Sequence, residues 1–182
     1  MENVLQGRLP ASTPFIRFAL PRGLGWGLLG GLAGTVAMDI VLIVASPALG
    51  LHGIESFSVI GDTAARGFTL LGVGIAGGVS AGLTVHYLVG PLLGAIFAAI
   101  VTRFDALWPR TLKKGIGLAV LYVELGSQPL LALTPLLMNM TAQDTVFWYA
   151  LSLGMHLLYG AVLGAVVSYG LRPGMRRRTY GE

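Results

Sequence analysis

The chain has 182 residues, of which 54% are hydrophobic and only 11% carry a charge, and its mean hydropathy is +0.76. Soluble domains carry about 25% charged residues, so this composition excludes an ordinary soluble domain. The net charge of +4 does not indicate nucleic acid binding, because basic residues beside an anionic membrane surface account for it. The absence of cysteine excludes disulfides, thiolate-bound metals and iron–sulfur clusters.

Four apolar segments have the length of about 20 residues that is needed to cross a hydrocarbon core of about 30 Å. Their expected bounds are Leu24–Pro47, Val79–Val101, Gly115–Leu137 and Val146–Leu171. In lipid the backbone polar groups must pair within each segment, so each is predicted to be a helix. The predicted fold class is therefore all-α, a polytopic membrane four-helix bundle.

Lysine and arginine are distributed unequally around these spans. All twelve except Arg66 lie before span one, between spans two and three, or after span four. Because basic residues favour the cytoplasmic side, both termini are expected in the cytoplasm. The chain then divides into an interfacial segment (1–22), a first hairpin (23–102) with a long outer loop (48–68), a second hairpin (103–171) and a basic cytoplasmic tail (172–182).

The region between spans one and two leaves two alternatives open. Ser58 or Asp62 could cap a short helix that runs toward Arg66. From Gly67 to Thr102 the chain carries no charge, and this stretch is too long for one upright helix. Either a tilted helix or a partial re-entrant turn near Gly72–Gly78 would accommodate the excess.

The two halves of the chain carry similar residues in the same order. "HYLVGPLLGA" begins at His86 and "HLLYGAVLGA" at His156, and both read H-x-x-x-G-x-x-x-G-A. Aligning Asp39 with Glu124 places one carboxylate in the first helix of each half. The pattern predicts two parallel-repeat helical hairpins, related by an axis along the membrane normal.

Glycines recur at four-residue intervals in the spans and form ridges that would let helix backbones approach closely. The predicted packing positions are Gly27, Gly31, Gly78, Gly82, Gly90, Gly94, Gly160 and Gly164. The simplest arrangement packs span two against span four.

Asp39, Glu124, His86 and His156 are the acidic residues and histidines inside the spans, where an unpaired polar group is costly. Asp39 and His86 lie at similar expected depths, which predicts a pair. In a first interpretation, Asp39–His86 and Glu124–His156 are hydrogen-bonded pairs that fix the helix register. In a second, the four residues meet and hold protons or a metal such as zinc, iron or manganese. In a third, the two histidines are the axial ligands of a haem b.

The stretch "MHLLYGAVLGAVVSYG" resembles the last helix of small four-span bacterial inner-membrane proteins that are catalogued only as domains of unknown function. The likeness rests on His156, Tyr159, Gly160 and Gly164. It implies a multi-pass protein of the bacterial inner (plasma) membrane, and it implies no activity.

The leading functional prediction is a non-catalytic packing or accessory role, because the small loops leave little room for a catalytic domain. The protein would be a subunit of a larger membrane assembly or a homo-oligomer, with the lipid bilayer and other membrane helices as partners. No cofactor is favoured. The alternative is a small transporter, a proton path or a metal- or haem-binding membrane protein that uses the intramembrane histidines and carboxylates. A membrane-embedded enzyme comes third, since it would need a water-filled cavity.

Overall fold

The computed structural model describes residues 14–45 and 53–172. These residues form five α-helices, namely α1 (Pro14–Ile40), α2 (Gly53–Leu70), α3 (Gly78–Arg103), α4 (Leu112–Met138) and α5 (Ala142–Gly170). A π-helical turn, Val41–Ala45, continues α1, and a 3-10 turn, Asp105–Leu107, follows α3. The described residues contain no strand, so the all-α prediction is confirmed for them.

Four of the helices are long and apolar enough to cross a membrane. Span one is Leu20–Val44, and spans two, three and four are α3, α4 and α5. Threonine side chains cap the last two spans at their starts: Thr111 accepts from the backbone N–H of Lys114, and Thr141 accepts from that of Asp144. Such caps satisfy backbone donors that a helix leaves free in its first turn.

Two of the predicted segments are described only in part. Residues 1–13 of the predicted interfacial segment lie outside the described residues, and residues 14–22 belong to α1. Of the predicted tail, Arg172 alone is described.

The predicted outer loop contains a helix that is longer than the sequence suggested. Residues 48–52 lie outside the described residues, and α2 occupies the rest of the loop and continues to Leu70. Residues 73–77 are not helical, and span two begins at Gly78. A break between two helices therefore accommodates the long uncharged stretch.

Helix α2 runs antiparallel to the first half of span two. Phe57 lies against Gly82, where an added Cβ would overlap the Phe57 carbonyl oxygen. One turn later in α2, an added Cβ at Gly61 would overlap the carbonyl oxygen of Gly78. Later residues of α2 thus contact earlier residues of span two.

Span one lies at the centre of the helix packing. It contacts both span two and span four, and span four also packs on span three. Spans two and three share few contacts, and α2 touches both of them. The expectation that span two packs chiefly against span four is therefore wrong. The glycine ridge of span two meets span one and α2 instead.

Close approach in the first hairpin depends on small residues in both helices. An added Cβ at Gly94 would overlap the carbonyl oxygen of Gly27 and lie 2.9 Å from the Cα of Gly31. An added Cβ at Gly90 would overlap the hydroxyl oxygen of Thr35. Larger side chains at these positions would push the two helices apart.

The second hairpin has a similar crossing. An added Cβ at Gly164 would lie 2.6 Å from the Cα of Ile116, and one at Gly160 would lie 2.7 Å from the Cα of Val120. Both distances are shorter than van der Waals contact between carbon atoms. The two glycines therefore allow spans three and four to touch through their backbones.

Gly78 differs from the other glycines that were predicted to pack. It has a φ of +82°, a conformation that favours glycine, and no heavy atom of another described element lies within 4 Å of an added Cβ. Its N–H donates to Oδ1 of Asp62 at 2.7 Å. Glycine is required here for the turn into span two and not for a crossing.

The apolar core lies near the end of the helices where spans two and three are connected. Phe97 and Val101 of span two and Leu163 and Val167 of span four are fully buried there. The rings of Phe97 and Tyr122 lie 5.4 Å apart and join span two to span three. Asp39 and His86 lie nearer the opposite end of their spans, beside α2.

Candidate functional site

The first carboxylate–histidine pair joins spans one and two. Asp39 lies in the last turn of α1, and His86 lies in the third turn of α3. The Nδ1 atom of His86 is 3.0 Å from Oδ1 of Asp39, and the side chains are only 14% and 8% exposed. The pair that the depth of these residues predicted is therefore present.

Helix α2 covers the first pair. The Phe57 ring packs edge-on against the His86 ring, with ring centroids 5.7 Å apart. Gly82 permits this contact, because a side chain there would collide with the Phe57 backbone. The helix that follows span one thus shields the histidine of span two.

The second pair is open. Oε1 of Glu124 lies 4.0 Å from Nδ1 of His156, beyond hydrogen-bond distance. The ring nitrogen lies 3.0 Å from the Ser127 hydroxyl oxygen instead. That hydroxyl donates to the backbone carbonyl oxygen of Glu124 at 3.2 Å, so Nδ1–H of His156 donates to Ser127. Sequence reasoning missed Ser127, although a polar residue three positions after Glu124 lies on the same face of the helix.

One carboxylate oxygen of Glu124 has no hydrogen-bond partner among the described residues. Its Oε1 atom is buried and accepts no hydrogen bond from the described residues. An ionised carboxylate in that environment is unfavourable, because hydrocarbon offers no solvation. The position can therefore hold a proton, or accept a hydrogen bond from a bound molecule.

The four ionisable residues do not form a single ligand set. The described residues contain no group of three or more His, Cys, Asp or Glu side chains that could hold a metal ion. Each histidine uses one ring nitrogen inside its own hairpin. The arrangement is two separate pairs, one closed and one open.

Tyr159 occupies space that a haem between the histidines would need. Its buried hydroxyl donates to the carbonyl oxygen of Gly90, which bridges spans four and two. Tyr159 lies about one turn after His156 in span four, and Gly90 lies about one turn after His86 in span two. The observed packing does not fit a porphyrin with these two axial ligands.

Comparisons with known proteins found no matching family model, no matching curated protein and no matching solved structure.

Proposed function

We propose that the chain is a non-catalytic packing or accessory protein of the bacterial inner membrane, with both termini in the cytoplasm. It associates with other membrane helices, as a homo-oligomer or within a larger assembly. The observation that carries the proposal is that Nδ1 of each histidine is hydrogen bonded inside its own hairpin, to Asp39 in the case of His86 and to Ser127 in the case of His156. Buried polar pairs of this kind stabilise helix contacts in membranes and fix their register.

We further propose that the two hairpins arose as copies of one unit. The equivalent contacts of the glycines are Gly90–Thr35 with Gly160–Val120, and Gly94–Gly31 with Gly164–Ile116. In these contacts, each residue of span one and its equivalent in span three differ in residue number by the same amount as Asp39 and Glu124. Each residue of span two and its equivalent in span four differ in residue number by the same amount as His86 and His156. This shared shift supports a parallel repeat.

A double-mutant cycle tests the structural role of the first pair. Asp39→Ala, His86→Ala and the double variant are compared by thermal unfolding in a mild detergent. We expect a coupling free energy of about 0.5–3 kcal/mol, because each single variant leaves its partner unpaired. Additive losses would mean that the hydrogen bond contributes nothing to stability.

Metal analysis of protein purified without a histidine tag is an independent test of the non-catalytic role. We expect no stoichiometric iron, zinc or manganese. Near-stoichiometric metal that is lost in His156→Ala would contradict the proposal and identify a metal site.

A second candidate function, proton binding at Glu124, is favoured by the unpartnered Oε1 atom. Intramembrane carboxylates often mark proton paths. Infrared spectroscopy of the reconstituted protein tests this candidate. A protonated carboxyl band that disappears in Glu124→Gln supports it, and an ionised Glu124 throughout the neutral pH range excludes it.

A further inference from the structure

Span three presents an uncovered face along its entire length. Of the four spans, it has the smallest share of its apolar window buried, 17%. An exposed stripe recurs every three or four residues, the spacing of a helix–helix seam, and comprises Gly117, Leu121, Leu125, Gln128, Ala132 and Leu136. We refer to these six residues as the span-three seam.

The seam contains one polar side chain, Gln128. Ten residues separate it from the end of α4 at Met138, so it lies about 15 Å inside that end of the helix. The amide is exposed, and no group in the described part of the chain hydrogen bonds to it. An amide that faces hydrocarbon without a partner is unfavourable. Gln128 therefore requires a polar partner from outside the described residues.

We propose that the span-three seam binds the same seam of a second copy of the chain. An amide both donates and accepts, so two Gln128 side chains can satisfy each other across a two-fold axis. The rest of the seam is uncharged and small or apolar, so it calls for no partner of opposite charge. Gly117 and Ala132 are small enough to let the two backbones approach. At Gly117 no heavy atom of another described element lies within 4 Å of an added Cβ, so the space beside it is free for a second copy.

This inference rests on the accessory role proposed above, and it assigns a second copy of the chain as the partner. A single polar residue in an otherwise apolar seam is also a known device for fixing register and oligomeric state. Gln128 would thus align the two copies, while the leucines above and below it supply the packing.

Disulfide cross-linking tests the interface directly, because the chain has no native cysteine. Leu125→Cys lies on the seam, and Leu130→Cys lies off it on the same helix. Leu125 is 67% exposed and Leu130 is 63% exposed, so the two positions are equally accessible. In reconstituted vesicles at high lipid-to-protein ratio, we expect oxidation to produce dimers with Leu125→Cys and not with Leu130→Cys. Equal cross-linking of both variants, or of neither, would overturn the proposal.

Fluorescence energy transfer between labelled copies in vesicles tests the role of Gln128. We expect Gln128→Leu to weaken association by about 3- to 30-fold, the range for one intramembrane hydrogen bond. Gln143→Leu, an exposed glutamine near the start of α5, serves as the control and should leave association unchanged. Unchanged association of Gln128→Leu would overturn the assigned role.

The outcomes separate this inference from the broader proposal. If Leu125→Cys cross-links in cell membranes only to a protein of different mass, the second-copy proposal fails and the accessory role stands. If stoichiometric metal is found at His156, the accessory role fails whatever the oligomeric state.

Discussion

At the level of single residues, the two histidines of the spans have different polar environments. The ring of His86 is hydrogen bonded to a carboxylate, whereas the ring of His156 is hydrogen bonded to the Ser127 hydroxyl. One oxygen of the Glu124 carboxylate has no hydrogen-bond partner in the part of the chain that the structure describes. Buried polar atoms without partners cost stability, and those with partners contribute modestly to it. The serines of the spans provide a direct comparison of these two situations.

We predict that Ser127→Ala destabilises the protein by about 1–2 kcal/mol, because it leaves Nδ1 of His156 without an acceptor. Ser168→Ala is the matched control, since the Ser168 hydroxyl is buried and has no hydrogen bond with the described residues. That substitution should be neutral or slightly stabilising. Thermal unfolding in the same detergent measures both, and a larger loss from Ser168→Ala would contradict the assignment of the hydrogen bond.

At the level of elements, α2 is tied to two different spans through polar contacts. Asp62 accepts from the N–H of Gly78 and from the hydroxyl of Ser58 at 3.2 Å. About one turn after Asp62 in α2, Arg66 donates to the carbonyl oxygen of Leu137. Helix ends leave such backbone groups unpaired, and side chains from another element can satisfy them. The only basic residue of the outer loop thus has a structural partner at the end of span three.

We predict that Asp62→Ala loosens α2 from span two. Loss of a side-chain acceptor at a helix start costs about 0.5–2 kcal/mol, so amide hydrogen exchange should rise across 53–77. Glu55→Ala makes the same change of charge at an exposed position of α2 and should affect this exchange much less. Equal exchange in the two variants would show that the Asp62 contact does not hold the helix in place.

The glycine crossings yield a prediction with a control in the same helix. An added Cβ at Gly27 would overlap the Gly94 carbonyl oxygen, whereas Gly25 has no heavy atom within 4 Å of an added Cβ. We expect Gly27→Ala to destabilise the protein by about 1–3 kcal/mol, the usual cost of overpacking. Gly25→Ala should be neutral or gain up to about 1 kcal/mol through helix propensity. Chemical unfolding of both variants measures the difference, and similar values would mean that the two helices are not closely packed at Gly27.

The sequence predicted the spans and the Asp39–His86 pair better than it predicted helix neighbours. A glycine ridge shows that some backbone approaches closely, but it does not say which one. The ridge of span two was therefore assigned to span four, although it meets span one and α2. The length of α2 was also missed, since its charged residues Glu55, Asp62 and Arg66 mask an apolar face. Ser127 was missed because one hydroxyl in an apolar span carries little signal.

At the level of the whole molecule, the two hairpins do not pack as a symmetric four-helix arrangement. Span one contacts span four closely, whereas spans two and three, which symmetry would pair in the same way, share few contacts. Helix α2 lies against both span two and span three. It has no counterpart in the second hairpin, where span three ends at Met138 and span four begins at Ala142. The long connection of the first hairpin thus makes the two hairpins different, and its helix covers the first pair.

The orientation of the molecule gives the last prediction. The connection between spans two and three carries Arg110, and basic residues favour the cytoplasmic side. Ala106 lies in this connection and Ala142 lies at the start of span four, and both are exposed. We predict that a membrane-impermeant maleimide labels Ala142→Cys in intact cells and labels Ala106→Cys only after permeabilisation. The two variants make the same substitution in a chain without native cysteine, so each controls for the reactivity of the other. The reverse pattern would place the termini outside the cytoplasm, and labelling of both in intact cells would mean that the chain inserts in two orientations.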